Sequence, residues 1–228
     1  MAHINGLFCG LHILQNMATA ALNGMKTFEK TNNVSNPNSI YEGNSVCNEF
    51  IYEVAKSFIE MSGCQKSGDA ADFNDYLSLL NVKNHLVTFL HNRFNILFVD
   101  GGAVFYHRSH IEIYLSSGRS SKNNKLLSSV KNFISNKVLL AECRALGMIS
   151  KLVTGPLWRL LENPDISFFG MNDFWTLLVE KVSKFPGDAS SLLLGQKVFQ
   201  EDNIEEEDVY KCLFEKSDLD DLTVSALQ

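Results

Sequence analysis

His85–Leu115, HLVTFLHNRFNILFVDGGAVFYHRSHIEIYL, joins the densest run of large apolar residues in the chain to a polar cluster, His91-Asn92-Arg93. Phe94, Leu97, Phe98, Gly101, Val104, Phe105, Ile111 and Leu115 recur at three- and four-residue steps, the spacing of one helix face. A hairpin is the rival, because ILFV and AVFY are strand-like and Asp100-Gly101-Gly102 has turn chemistry. Two glycines inside a helix cost about 2 kcal/mol relative to alanine, so a helix here needs strong tertiary packing. The apolar stripe continues on both sides of the glycines, which favours the helix. A small β element near residues 86–106 is the alternative.

Outward from this stretch the periodicity stays helical. Leu7, Leu11, Leu14, Ala18, Ala21, Leu22 and Met25 place a stripe on a helix from about Gly6 to Glu29, and Thr31–Ser39 reads as a polar connector. A second helix runs from about Tyr41 to Met61, and Asp72 caps a short one carrying Phe73, Tyr76, Leu77 and Leu80. Beyond the loop Ser116–Asn124, helices are expected to Ile134 and from Asn136 to Val153. Thr154-Gly155-Pro156 reads as a stop and restart, since proline suits a first helical turn. Asn172 and Asp188 cap two more helices, the second through Phe199. The expectation is a mostly α, bundle-like domain over residues 1–200. An acidic segment, 201–228, follows, with one helix over Glu205–Lys216 and a loose tail from Asp218.

With 228 residues, 45% hydrophobic and 20% charged, the chain has the composition of a folded protein with a sizeable core. No apolar run approaches the roughly 20 residues that span a bilayer. Five cysteines at irregular spacing fit a reducing, intracellular setting, nuclear or cytoplasmic, better than a disulfide framework.

The net charge of −6 is uneven. From Glu201 onward ten acids face two lysines, a net of −8, which leaves +2 on the first 200 residues. Within these, His107–Lys151 carries eight basic residues against Glu112 and Glu142, a net of +6. Such a segment could track phosphates, with Arg108, Arg119, Lys122, Lys125 and Lys131 as contacts, or be a solvated face partly neutralised by the acidic segment.

Cys9-x-x-His12 and His107-x-x-His110 are paired ligand types at helical spacing and would together make a legitimate zinc set. The plainer reading makes Cys9 core and the histidines polar neighbours, with no metal or cofactor. Arg93 could grip a phosphate at a helix N-terminus, or belong to a capping cluster with Asn92 and Asn95. The nucleophile elbow, phosphate-binding glycine loop, kinase and zinc-protease signatures are absent.

Two segments carry a family likeness. Phe8-Cys9-Gly10-Leu11-His12-Ile13-Leu14 resembles the C-x-x-H segment of hAT-type transposases, which follows the second catalytic aspartate of an RNase H-like core. His91-Asn92-Arg93-Phe94-Asn95 is similar to that family's Arg-Trp-Asn segment, with Phe94 in the tryptophan position. The phrases GLFCGLH (Gly6–His12) and LVTGPLW (Leu152–Trp158) also resemble transposon-derived proteins of fish and invertebrates. The likeness covers residues 7–115 at motif level. It implies that the helices correspond to the all-helical insertion domain that the family places before its last catalytic glutamate.

The family's two catalytic aspartates precede the C-x-x-H segment, whereas eight residues precede Cys9 here. Even with a later acid such as Glu180 in the glutamate's place, two of three metal ligands would be missing. The expectation is therefore a fragment, or the product of a gene that has lost its upstream half, without nuclease or transposase activity. As a non-catalytic remnant it would bind DNA or a protein partner, including a second copy of itself. The alternative is a helical scaffold with no nucleic-acid role.

Overall fold

The computed structural model describes residues 10–37, 44–59, 68–89, 95–120, 125–167, 170–199 and 207–228. Among them the regular elements are all helical, with no strand: α1 (Gly10–Thr31), α2 (Val46–Phe58), α3 (Ala70–Leu79), α4 (Ile96–Ser116), α5 (Lys125–Phe133) and α6 (Lys137–Ile149). A π-helical turn (Ser150–Thr154) leads into α7 (Gly155–Glu162), followed by α8 (Met171–Val182), α9 (Ser190–Leu193), α10 (Asp208–Phe214) and α11 (Asp220–Leu227). Ile96–Tyr106 belongs to α4, so the hairpin alternative falls, and Val82–Phe89 is irregular, neither helix nor strand.

The centre of the molecule is the crossing of α4 on α6, the most extensive contact between helices. Gly101 and Gly102 make it possible. A Cβ on Gly101 would lie 2.7 Å from the Leu146 Cβ, and one on Gly102 would lie 3.0 Å from the Gly147 Cα. The three glycines therefore bring two helix backbones together rather than turning the chain. Packing of this closeness offsets the helix-propensity cost of the pair. Both helices are buried all round at the crossing: Asp100–Phe105 and Leu139–Met148 are covered without a break, the polar Asp100, Glu142 and Arg144 included.

Local sequence chemistry sets several boundaries. Ser45 caps α2, its Oγ accepting the Asn48 N–H at 3.1 Å, and Asn136 caps α6 by accepting from Val138 and Leu139. α3 begins at Ala70 and α8 at Met171, so Asp72 and Asn172 lie inside first turns and do not cap them. Asp188 does accept the Ser190 N–H, at 2.8 Å. The helix that follows stops at Leu193 and Gly195 turns left-handed (φ +72°), so it does not reach Phe199.

Two further expectations are corrected. Thr154-Gly155-Pro156 is no stop: the Gly155 N–H donates to the Ser150 carbonyl, a π-type step that carries the helix from α6 into α7. Pro156, lacking an N–H, sits at the start of the renewed α-helix where no donor is needed. The segment from Asp218 is no loose tail either. It forms α11 on α6, burying Leu219, Thr223 and Leu227, while α10 sets Leu213 over Gly147. Leucines at these positions join the same core as Leu14 and Leu139.

Candidate functional site

The buried Asp100 and His107 of α4 serve the irregular segment Val82–Phe89. Having no β partner, that segment needs other acceptors for its N–H groups. Asp100 Oδ1 accepts from the Val87 N–H at 2.8 Å, and His107 Nε2 accepts from the His85 N–H at 3.1 Å. Asn84 completes the anchorage, donating to the Phe58 carbonyl at 3.2 Å and to Asn74 Oδ1 at 2.8 Å.

His107 is wholly buried, its ring centroid 4.8 Å from that of Tyr106, 5.5 Å from His110 and 6.0 Å from His85. Burial, with His110 and His85 close by, drives its pKa down to about 3. The ring is therefore neutral, with the proton on Nδ1, because Nε2 is an acceptor. Burial also lowers the pKa of His110 and that of His85. The Glu207 carboxylate 4.0 Å from His85 Nδ1 pulls the other way, but burial prevails. Asp100 is raised to about 7 by burial, against a smaller downward pull from the Val87 N–H. Beside the cluster a cleft of about 60 Å³, edged by His85, Ser150, Lys151 and Glu207, has room for a few waters.

A second buried polar cluster joins α1, α2 and α6. Glu29 Oε1 accepts from Ser45 Oγ at 2.7 Å and from the Cys47 N–H at 2.8 Å. Glu142 faces the same space, and neither of its carboxyl oxygens has a partner at hydrogen-bonding geometry. Burial and the Glu29 carboxylate push Glu142 up to about 9, against a slight pull down from the Cys47 thiol. Burial, then the neighbouring Cys143, raises the Cys47 thiol. The two sulfurs are 3.7 Å apart.

Of the residues singled out as zinc ligands, Cys9 lies outside the described residues, His12 is exposed on α1, and His107 and His110 belong to the aromatic cluster on α4. Among the described residues no group of three His, Cys, Asp or Glu side chains is placed to hold a metal ion.

The six candidate phosphate contacts divide. Arg93 and Lys122 lie outside the described residues. Arg108 is committed within the fold, donating to the Phe105 carbonyl at 2.6 Å and to Cys212 Sγ at 3.3 Å, with its guanidinium 4.0 Å above the Phe105 ring. Arg119 is exposed, 5.4 Å from the Tyr76 ring, and Lys125 and Lys131 are exposed on α5. The rest of the basic stretch meets the acidic segment. Lys137 pairs with Asp218 at 2.6 Å, and Lys151 pairs with Glu207. The buried Arg144 reaches Asp220 at 2.6 Å and the carbonyls of Leu213 and Glu215 at 2.8 and 2.7 Å.

Sequence reasoning passed over Asp100, His85, Glu29, Glu142 and the Cys47–Cys143 pair. A usable signal was present for two of them. Asp100 and Glu142 are lone acids inside apolar runs, FVDGGAVF and LLAECRAL, where a charge has no solvent to face. Glu29 and Cys47 carry no comparable local mark.

The surface also shows unpaired apolar side chains. Leu79, Leu194 and Val179 are each more than two-thirds exposed, and Ile113 is 56% exposed. No helix among the described residues is long and apolar enough to cross a membrane. Neither the protein-family models, nor the curated proteins, nor the solved structures contain a match to this chain.

Proposed function

We propose that this chain is a non-catalytic, transposase-derived helical module that works by contact with a protein partner. The transposase lineage rests on the likeness of Phe8–Leu14 and His91–Asn95 to the C-x-x-H and Arg-Trp-Asn segments of hAT-type transposases, and of the GLFCGLH and LVTGPLW phrases to transposon-derived proteins of fish and invertebrates. The preference for a protein over DNA rests on one observation: Arg144, Lys137 and Lys151 are paired with Asp220, Asp218 and Glu207, so half of the acidic segment's described side of the charge balance is met in cis. A polyanion approaching this face would compete with those acids. Phosphate binding gains its free energy from cations free to release counterions, and those three are not free.

A second reading is DNA binding through Arg119, Lys125 and Lys131, favoured by their exposure at the α4–α5 corner and along α5. Fluorescence anisotropy of a labelled duplex at low and moderate salt separates the two. The protein-partner reading expects no saturable binding at micromolar chain. Binding that falls steeply with salt, and is lost in R119E/K125E/K131E, overturns it. Supercoiled plasmid incubated with the chain and Mn²⁺ is expected to stay intact; cleavage abolished by alanine at one acidic residue would end the non-catalytic reading.

A further inference from the structure

Cys47 in the first turn of α2 and Cys143 in the middle of α6 are fully buried, free, and face each other with sulfurs 3.7 Å apart. They are ninety-six residues apart in sequence, so nothing local brings them together. A disulfide needs the sulfurs about 1.7 Å closer, at roughly 2.05 Å, a displacement within reach of side-chain rotation. Their surroundings are polar: the Glu142 carboxyl, without hydrogen-bond partners, and Glu29, held by Ser45, share the same space.

We propose that Cys47 and Cys143 form a redox pair that closes to an intramolecular disulfide, tying α2 to α6, when the chain meets a small uncharged peroxide. On local opening one thiol, no longer held protonated by burial, gives its proton to solvent, and the thiolate attacks a peroxide oxygen, becoming a sulfenic acid as the O–O bond breaks and the departing hydroxide takes a proton to leave as the first water. The second thiolate attacks that sulfur, the S–O bond breaks, and the hydroxide takes a proton as the second water. Two thiols and one hydrogen peroxide give one disulfide and two waters; sulfur is oxidised and peroxide oxygen reduced. Full burial excludes glutathione-sized reagents, so mixed disulfides do not form at this pair and peroxide reaches it only through local opening. Once closed, the bridge removes the entropy of a ninety-six-residue loop from the unfolded state.

The test is made on the full chain with C9A, C64A and C212A, leaving only this pair. After hydrogen peroxide treatment in native buffer the expected result is an intact mass lower by two hydrogens and one cross-linked Cys47–Cys143 peptide. The melting temperature should rise by roughly 5–15 °C and return with dithiothreitol. Thiols that stay free, sulfinic acids at either position, or a bridge that forms only in denaturant overturn the proposal. The same background carrying C143A must show no rise. Should that variant fail to fold, peptide mapping of the oxidised unsubstituted chain decides: a Cys47–Cys143 peptide upholds the pair, and any other pairing of Cys47 or Cys143 overturns it.

Discussion

At the scale of single residues the buried acids dominate. Asp100 titrates near 3.8 when unfolded and near 7 in place, raised by burial. Its contribution to stability is therefore complete below about pH 4 and lost as pH rises through 7. Asparagine at this position still accepts the Val87 N–H and does not titrate. In urea melts between pH 4.5 and 8, Asp100→Asn should gain about 3 kcal/mol on the unsubstituted chain as pH rises, each pKa unit being worth about 1.4 kcal/mol. Parallel pH profiles would show that Asp100 does not titrate as described. Glu142, raised to about 9, has the same sign over a wider range. Glu142→Gln should accordingly raise the melting temperature at pH 7.5, by the equivalent of about 4 kcal/mol. His107 acts oppositely: its pKa is depressed to about 3, so its contribution is present above about pH 6.5 and declines in acid. None of this was legible in the motifs. The candidate ligand pair His107-x-x-His110 is half aromatic packing and half backbone anchor, and the sequence of the segment it holds carries no mark of that need.

Among elements, the glycines separate the readable from the hidden. Gly147 leaves a notch in which a Cβ would be 2.6 Å from the Gly102 Cα and 2.7 Å from Leu213 Cδ2. Gly24, in mid-α1, has open space around it. Gly147→Ala should destabilise the chain by about 2 kcal/mol or more despite alanine's higher helix propensity. Gly24→Ala should stabilise it by about 0.5–1 kcal/mol. Chemical denaturation of the two variants side by side checks both signs, and a stabilising G147A would mean that α4 and α6 do not cross so closely. Three-four periodicity found α2, whose apolar residues Val46, Phe50, Val54 and Phe58 are buried, and α5, where buried Leu127 and Val130 alternate with exposed Lys125 and Lys131. It found α4 only against the pull of a turn-like Asp-Gly-Gly, because a residue that opens a turn and one that admits a neighbouring backbone are the same glycine. The Gly-Pro step failed as a stop signal for a related reason: a π turn supplies an i−5 acceptor where the α pattern runs out.

For the molecule as a whole the C-terminal segment matters most. Its charge, opposite to that of His107–Lys151, was visible in composition, but composition registers only a sum. The pairing is specific: Arg144, 1% exposed, satisfies two carbonyls and Asp220 at once. Arg144→Ala should cost about 3–5 kcal/mol, measured by urea unfolding, since it strands buried acceptors. A loss below about 1 kcal/mol would make the segment an accessory. By contrast Lys137→Ala, at an exposed pair with Asp218, should leave the urea midpoint almost unchanged. Leu213 over the Gly102–Gly147 crossing has a further consequence for synthesis. The tightest point of the core receives its last side chain from position 213, and α11 follows, so earlier helices emerging from a ribosome have no finished interior to join. Until residues 208–227 are clear of the exit tunnel, the side of the Gly102–Gly147 crossing that Leu213 covers has nothing from this segment to close it.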